Sequence, residues 1–219
     1  MAVAWLRRRI WLKRAGALLV AGALQGLPGR RASAQGTEPD AAVRRIRAFC
    51  DALLDVMKQA ERLGVQGRYD RLAPVIRQTF DLEAMTRIAV GPGWRTIPAD
   101  LQKALVDGFS RMTVATYANR FNGYSGERFE VDPQSAERST GRVVRTKLVP
   151  ASGEPVALDY LMRGSGEAWK VVDVYLTGTI SELATRRSEF AAILGGGGPE
   201  ALVESLRRQA EKELRGGPR

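Results

Sequence analysis

Histidine is missing from the whole 219-residue chain. That absence excludes Ser–His–Asp and Cys–His catalysis, imidazole acid–base chemistry and nearly all zinc sites. Cysteine occurs once, as Cys50, so no disulfide can close within the chain. Cys50 falls on the apolar stripe Val43, Ile46, Cys50, Leu53, Leu54, Met57. On such a stripe a thiol packs as a small hydrophobe. Apolar runs are short: none approaches the roughly 20 residues that span a bilayer. Acidic residues are absent from the first 34 positions, which hold seven of the 34 basic residues.

What stands in those first positions reads as an address. Arg7, Arg8, Arg9, Lys13 and Arg14 form a basic start, Ala15 to Leu27 an apolar stretch, and Ala32-Ser33-Ala34 a small-x-small cleavage site. This order predicts an export signal over residues 1–34, with an uncleaved anchor as the alternative. Arg8-Arg9-Ile10-Trp11-Leu12-Lys13 resembles the twin-arginine motif; an ordinary secretory signal with a basic start fits as well. Without the leader, 27 basic residues face 24 acidic ones. The net charge of +10 then shrinks to +3, and with it goes the argument for a nucleic-acid partner.

Residues 35–214 are expected to form one domain, after a polar linker at Gln35–Glu38 and before a flexible tail, 215–219. Apolar residues at helical spacing predict helices over 39–63, 70–79, 82–90, from Thr96–Pro98 to about Phe121, over 182–194 and from Pro199 to about Leu214. Pro74 is placed in a first turn, and Gly195 to Gly198 in a flexible break. The period then changes to two over 128–131, 142–149, 156–163 and 169–176, with hairpin turns at 150–153 and 164–166. One sheet face should carry Val144, Thr146, Leu148, Leu158, Tyr160, Met162, Val172, Val174 and Leu176. The other should be polar, with Val143, Arg145, Lys147, Asp159, Arg163 and Asp173, so that the sheet is covered on one side. Helices, then a meander, then helices give an α+β fold, a curved antiparallel sheet wrapped by helices.

Chemical groups are few. Asp159 and Asp173, on neighbouring strands, are a candidate acid–base pair, or else solvated residues facing Arg145 and Lys147. The glycine runs lack the lysine and hydroxyl of a phosphate loop. A concave sheet under apolar helices can instead form a pocket for lipid chains, which requires no catalytic group.

Three blocks carry a family resemblance. Phe80-Asp81-Leu82-Glu83-Ala84-Met85-Thr86-Arg87-Ile88-Ala89-Val90-Gly91 with Trp94-Arg95 resembles the first block of the MlaC/toluene-tolerance family. Thr116-Tyr117-Ala118-Asn119-Arg120-Phe121 with Tyr124-Ser125-Gly126-Glu127 resembles its second. Asp159-Tyr160, Trp169-Lys170-Val171-Val172-Asp173-Val174, Gly178, Ser181, Arg187 and Phe190 are similar to its third. The run from Thr179 to Arg187 departs from the usual family pattern and resembles the HpnM branch of hopanoid clusters.

The resemblance implies an NTF2-like fold with an apolar cavity between sheet and helices, in a periplasmic carrier without enzymatic activity or cofactor. Its cargo would be a phospholipid or a hopanoid, exchanged with ABC-type or RND-type membrane machinery by a monomer. The expected lining is Phe80, Met85, Ile88, Trp94, Phe109, Met112 and Tyr117 from the helices and Leu148, Leu158, Tyr160, Val172 and Val174 from the sheet. The alternatives are an NTF2-like periplasmic enzyme using Asp159 or Asp173, and a non-carrier subunit of a transport complex.

Overall fold

The computed structural model describes residues 40–216. The expected export signal, the linker and residues 217–219 of the tail lie outside them. Helix α1 (Ala41–Lys58) starts at Asp40, whose carboxylate accepts the Val43 N–H at 2.9 Å. It buries Val43, Ile46, Phe49, Cys50, Leu53, Val56 and Met57. Helix α2 (Ala60–Thr79) is broken at Gly64, the φ of +59° being one that glycine adopts freely. The chain then stays helical through residues 65–69, where a loop is expected from the sequence. The stripe that holds this segment passes through Arg68, which is buried. Its guanidinium donates to the carbonyls of Ala118 at 2.7 Å and Ala60 at 2.8 Å. Pro74 therefore lies mid-helix, not in a first turn.

Helix α3 (Leu82–Val90) is capped by Asp81, which accepts the Ala84 N–H at 2.9 Å, and ends at Gly91. A 3-10 turn (Pro92–Thr96) leads through Pro98 into α4 (Ala99–Arg120), which is buried on more than one side. The strands are β1 (Arg128–Val131), β2 (Ala136–Arg138), β3 (Gly141–Val144), β4 (Thr146–Val149), β5 (Val156–Arg163), β6 (Lys170–Leu176) and β7 (Ile180–Ser181). Helix α5 (Glu182–Leu214) closes the fold. Its expected four-glycine break shrinks to one residue: Gly198 alone leaves helical geometry, at φ +70°, and Gly195 to Gly197 continue the helix.

All strand pairs are antiparallel. β3 and β4 pair in turn with one edge of β5, β6 with the other; β1 and β2 extend the β4 and β3 side, and β7 the β6 side. Helix α1 packs on β1 and β3, while α3 and α5 pack on β6. The main core lies between these layers and joins Val144, Tyr160, Met162, Val171 and Val174 to the helices.

One irregularity corrects the expected face assignment. The ladder between β5 and β6 shifts register between Leu161 and Met162, pairing Leu161 with Asp173 but Met162 with Val171. Val172 is the extra residue of this bulge. It turns away from Val174 to a second cluster with Val143, Leu161 and Ala84, against which Tyr175 packs. The opposite face is thus partly apolar, not polar throughout. No helix among the described residues is long and apolar enough to cross a membrane.

Candidate functional site

Aromatic rings from every layer meet in the interior. Phe80 follows α2 and bridges to Val171 of β6, and the Asp81 N–H donates to the Val171 carbonyl at 2.9 Å. This anchor places the Phe80 ring 5.2 Å from Phe49 of α1, 5.8 Å from Tyr117 of α4 and 6.5 Å from Tyr160 of β5. Phe49 lies 5.6 Å from Tyr117 and 5.9 Å from Tyr160. These pairs are edge-on, the arrangement favoured by the ring quadrupoles. Tyr117 stacks on Phe121 at 5.6 Å, and Phe121 leads on to Phe129 of β1 at 6.3 Å.

The aromatic cluster itself is electrically quiet. Burial pushes the Tyr160 hydroxyl well above its ordinary pKa and raises that of Tyr117; the two hydroxyls are hydrogen-bonded to each other. Burial also pushes the Cys50 thiol up to about 12. All three groups stay neutral at physiological pH. Among the described residues no group of three or more acidic, cysteine or histidine side chains is placed to hold a metal ion.

The expected lining residues divide clearly. Phe80, Met85, Phe109, Met112, Tyr160 and Val174 are buried in the main core, and Ile88, Trp94, Tyr117 and Leu158 pack against it. Leu148 pairs across the ladder with Phe129, on the same face. Val172 lies apart, on the other face. Sequence reasoning missed Phe49, although it stands three residues after Ile46 on the α1 stripe, and it missed Phe129 on a strand of intermediate burial.

The two candidate carboxylates face away from this interior. Asp159 precedes inward-facing Tyr160 and pairs with Tyr175 of the second cluster. It accepts the Thr146 N–H at 3.4 Å where the β3 and β4 line is interrupted, and burial raises its pKa against that bond and nearby Arg145 and Arg138. Asp173 is buried and accepts from the Ser181 hydroxyl at 2.6 Å, the Leu183 N–H at 3.1 Å and its neighbour Val174 N–H at 2.8 Å. Its oxygens hold the start of α5, so Asp173 is not the solvated residue expected from the strand pattern.

Beside Phe80 the surface opens into a groove of about 580 Å³, walled by the end of α2, the start of α3, the middle of α4 and the first residue of β6.

A model of the MlaC protein family matches residues 47–208. The chain belongs to the MlaC family. Phe80, Tyr117 and Tyr160, one from each of the three sequence blocks, are the residues whose rings converge. Blocks one and three meet again where Arg187 crosses Gly91: a Cβ there would stand 3.3 Å from the Arg187 Nε. A solved phospholipid-binding protein from Ralstonia solanacearum, in complex with a phospholipid, is 27% identical with a TM-score of 0.68. The match covers 80% of this chain and 98% of that one. No curated protein matches the chain.

Proposed function

We propose that this member of the MlaC family is a periplasmic lipid carrier. It holds the chains of a phospholipid between sheet and helices and shuttles them, as a monomer, between membrane transport machineries of the ABC or RND type. The observation that carries this reading is the neutral aromatic interior on which the three blocks converge. Burial of lipid chains there gains about 0.8 kcal/mol per methylene. The phospholipid held by the related Ralstonia solanacearum protein supports the choice of cargo.

The residues in contact with the chains are Phe49, Phe80, Met85, Ile88, Trp94, Phe109, Met112, Tyr117, Leu148, Leu158, Tyr160 and Val174. A hopanoid is the competing cargo, on the strength of the HpnM-like run from Thr179 to Arg187. Transfer between vesicles tests both. Donor vesicles carry a fluorescent phospholipid and a hopanoid, and acceptor vesicles carry neither. Protein-dependent appearance of phospholipid in the acceptors is the expected result. Transfer of hopanoid alone would change the cargo, and transfer of neither would refute the carrier.

A further inference from the structure

The groove beside Phe80 is lined by three cations drawn from distant parts of the chain. Arg77 lies in the last turns of α2, Arg111 in α4, and Lys170 opens β6. All three are exposed, and none has an ion-pair partner among the described residues. Three carboxylates share the groove, but two are engaged. Asp81 accepts the Ala84 N–H at 2.9 Å, and Asp107 pairs with Lys103 at 2.9 Å. The capping N–H orients the Asp81 carboxylate without neutralising it, so with Lys103 the groove and its rim carry four cations and three carboxylates, a net of one positive charge.

Guanidinium groups match phosphate oxygens with paired donors, and an ammonium adds a point charge. The floor supplies the link to the interior. Phe80 lines the groove and also touches Phe49, Tyr117 and Tyr160 within the aromatic cluster. An amphiphile whose phosphate sits on the cations has its apolar part at the ring that separates groove from core.

We infer that this groove is a headgroup site, in which Arg77, Arg111 and Lys170 hold the phosphodiester of the cargo lipid while its chains pass Phe80 into the interior. The inference rests on the carrier reading and adds to it a chemical basis for selecting phosphate-bearing lipids. A free phosphate offers the same oxygens, so the test must separate the two.

The full-length protein is stripped of lipid, incubated with vesicles of phosphatidylglycerol or with the matching diacylglycerol, and its retained lipid is quantified. The variant Arg77→Ala/Arg111→Ala/Lys170→Ala should lose phospholipid by about tenfold or more, each factor of ten being about 1.4 kcal/mol. Its diacylglycerol retention should match the wild type. Equal phospholipid retention by variant and wild type would overturn the headgroup site. So would equal loss of both lipids in a variant with unchanged circular dichroism. If the triple variant does not fold, Arg111→Gln alone should lower the ratio of phospholipid to diacylglycerol, and an unchanged ratio overturns the site. Binding of inorganic phosphate, abolished by the substitutions while phospholipid retention persists, would assign the groove to a free anion and overturn the proposal. A wild type that retains neither lipid would instead refute the carrier reading.

Discussion

The Asp173 carboxylate grips the Ser181 hydroxyl at 2.6 Å, and through it ties the last long strand to the last helix. Ser181 in turn accepts the Ala184 N–H at 2.9 Å as the cap of α5, and Asp173 takes the Leu183 N–H directly. Strand and helix are thus fixed by one buried acceptor. Asp173→Ala leaves the Leu183 N–H and the Ser181 hydroxyl without it. The expected cost is about 2–3 kcal/mol, read as a lower urea midpoint. Asp173→Asn keeps an oxygen and should cost less. Equal stability of Asp173→Ala and wild type would show that the clamp contributes nothing.

The Cys50 thiol should be inert in the native protein. Its pKa of about 12 leaves almost no thiolate at neutral pH, and the residue is buried. Labelling with a thiol reagent should be slow in buffer and complete in urea. Fast labelling of the folded protein would contradict this burial.

Acid sensitivity should run through Asp40. Burial alone would raise its pKa, but the Ser135 hydroxyl, the Val43 N–H and Arg142 at 3.3 Å outweigh it, so the folded value lies below the ordinary 3.8. A carboxyl depressed on folding stabilises fully above its unfolded pKa, and that contribution fades as pH falls through the folded one. Asp40→Asn keeps a helix-capping side chain and removes the charge. It should lower stability by about 0.5–1 kcal/mol at pH 6, since both side chains of the pair are still partly exposed to screening solvent. The difference should narrow below pH 4. A gap that widens on acidification would give the wrong sign.

The centre of the aromatic cluster should be costly to empty. Phe49 touches three rings and is fully buried, so Phe49→Ala should destabilise by about 3–5 kcal/mol. Phe129, at the partly exposed edge, should cost less on the same change. Equal losses at the two positions would contradict this ordering.

Several elements were legible in the sequence because their ends are chemically marked. Asp81 and Gly91 bracket α3, and period-two runs give the long strands. Other features were hidden for physical reasons. Arg68 interrupts the apolar pattern of α2 while being buried in it, because backbone carbonyls satisfy its guanidinium. Four glycines in α5 suggested a flexible break, yet three of them keep helical geometry and only Gly198 departs from it. The bulge opposite Leu161 moves Val172 to the other face, and no alternation pattern announces it. The aromatic blocks were visible as sequence. Their convergence, and the meeting of Arg77, Arg111 and Lys170, depend on contacts between elements far apart in the chain.

The most direct test of the account is native mass spectrometry of the protein purified without added lipid, with lipid extraction from the same sample. The account predicts a mass increment equal to a phospholipid identified in the extract. Met112→Arg, which puts a charge in the interior, should remove that increment while circular dichroism still reports a folded chain. Protein that arrives lipid-free in every preparation and takes up no lipid from vesicles would contradict the carrier.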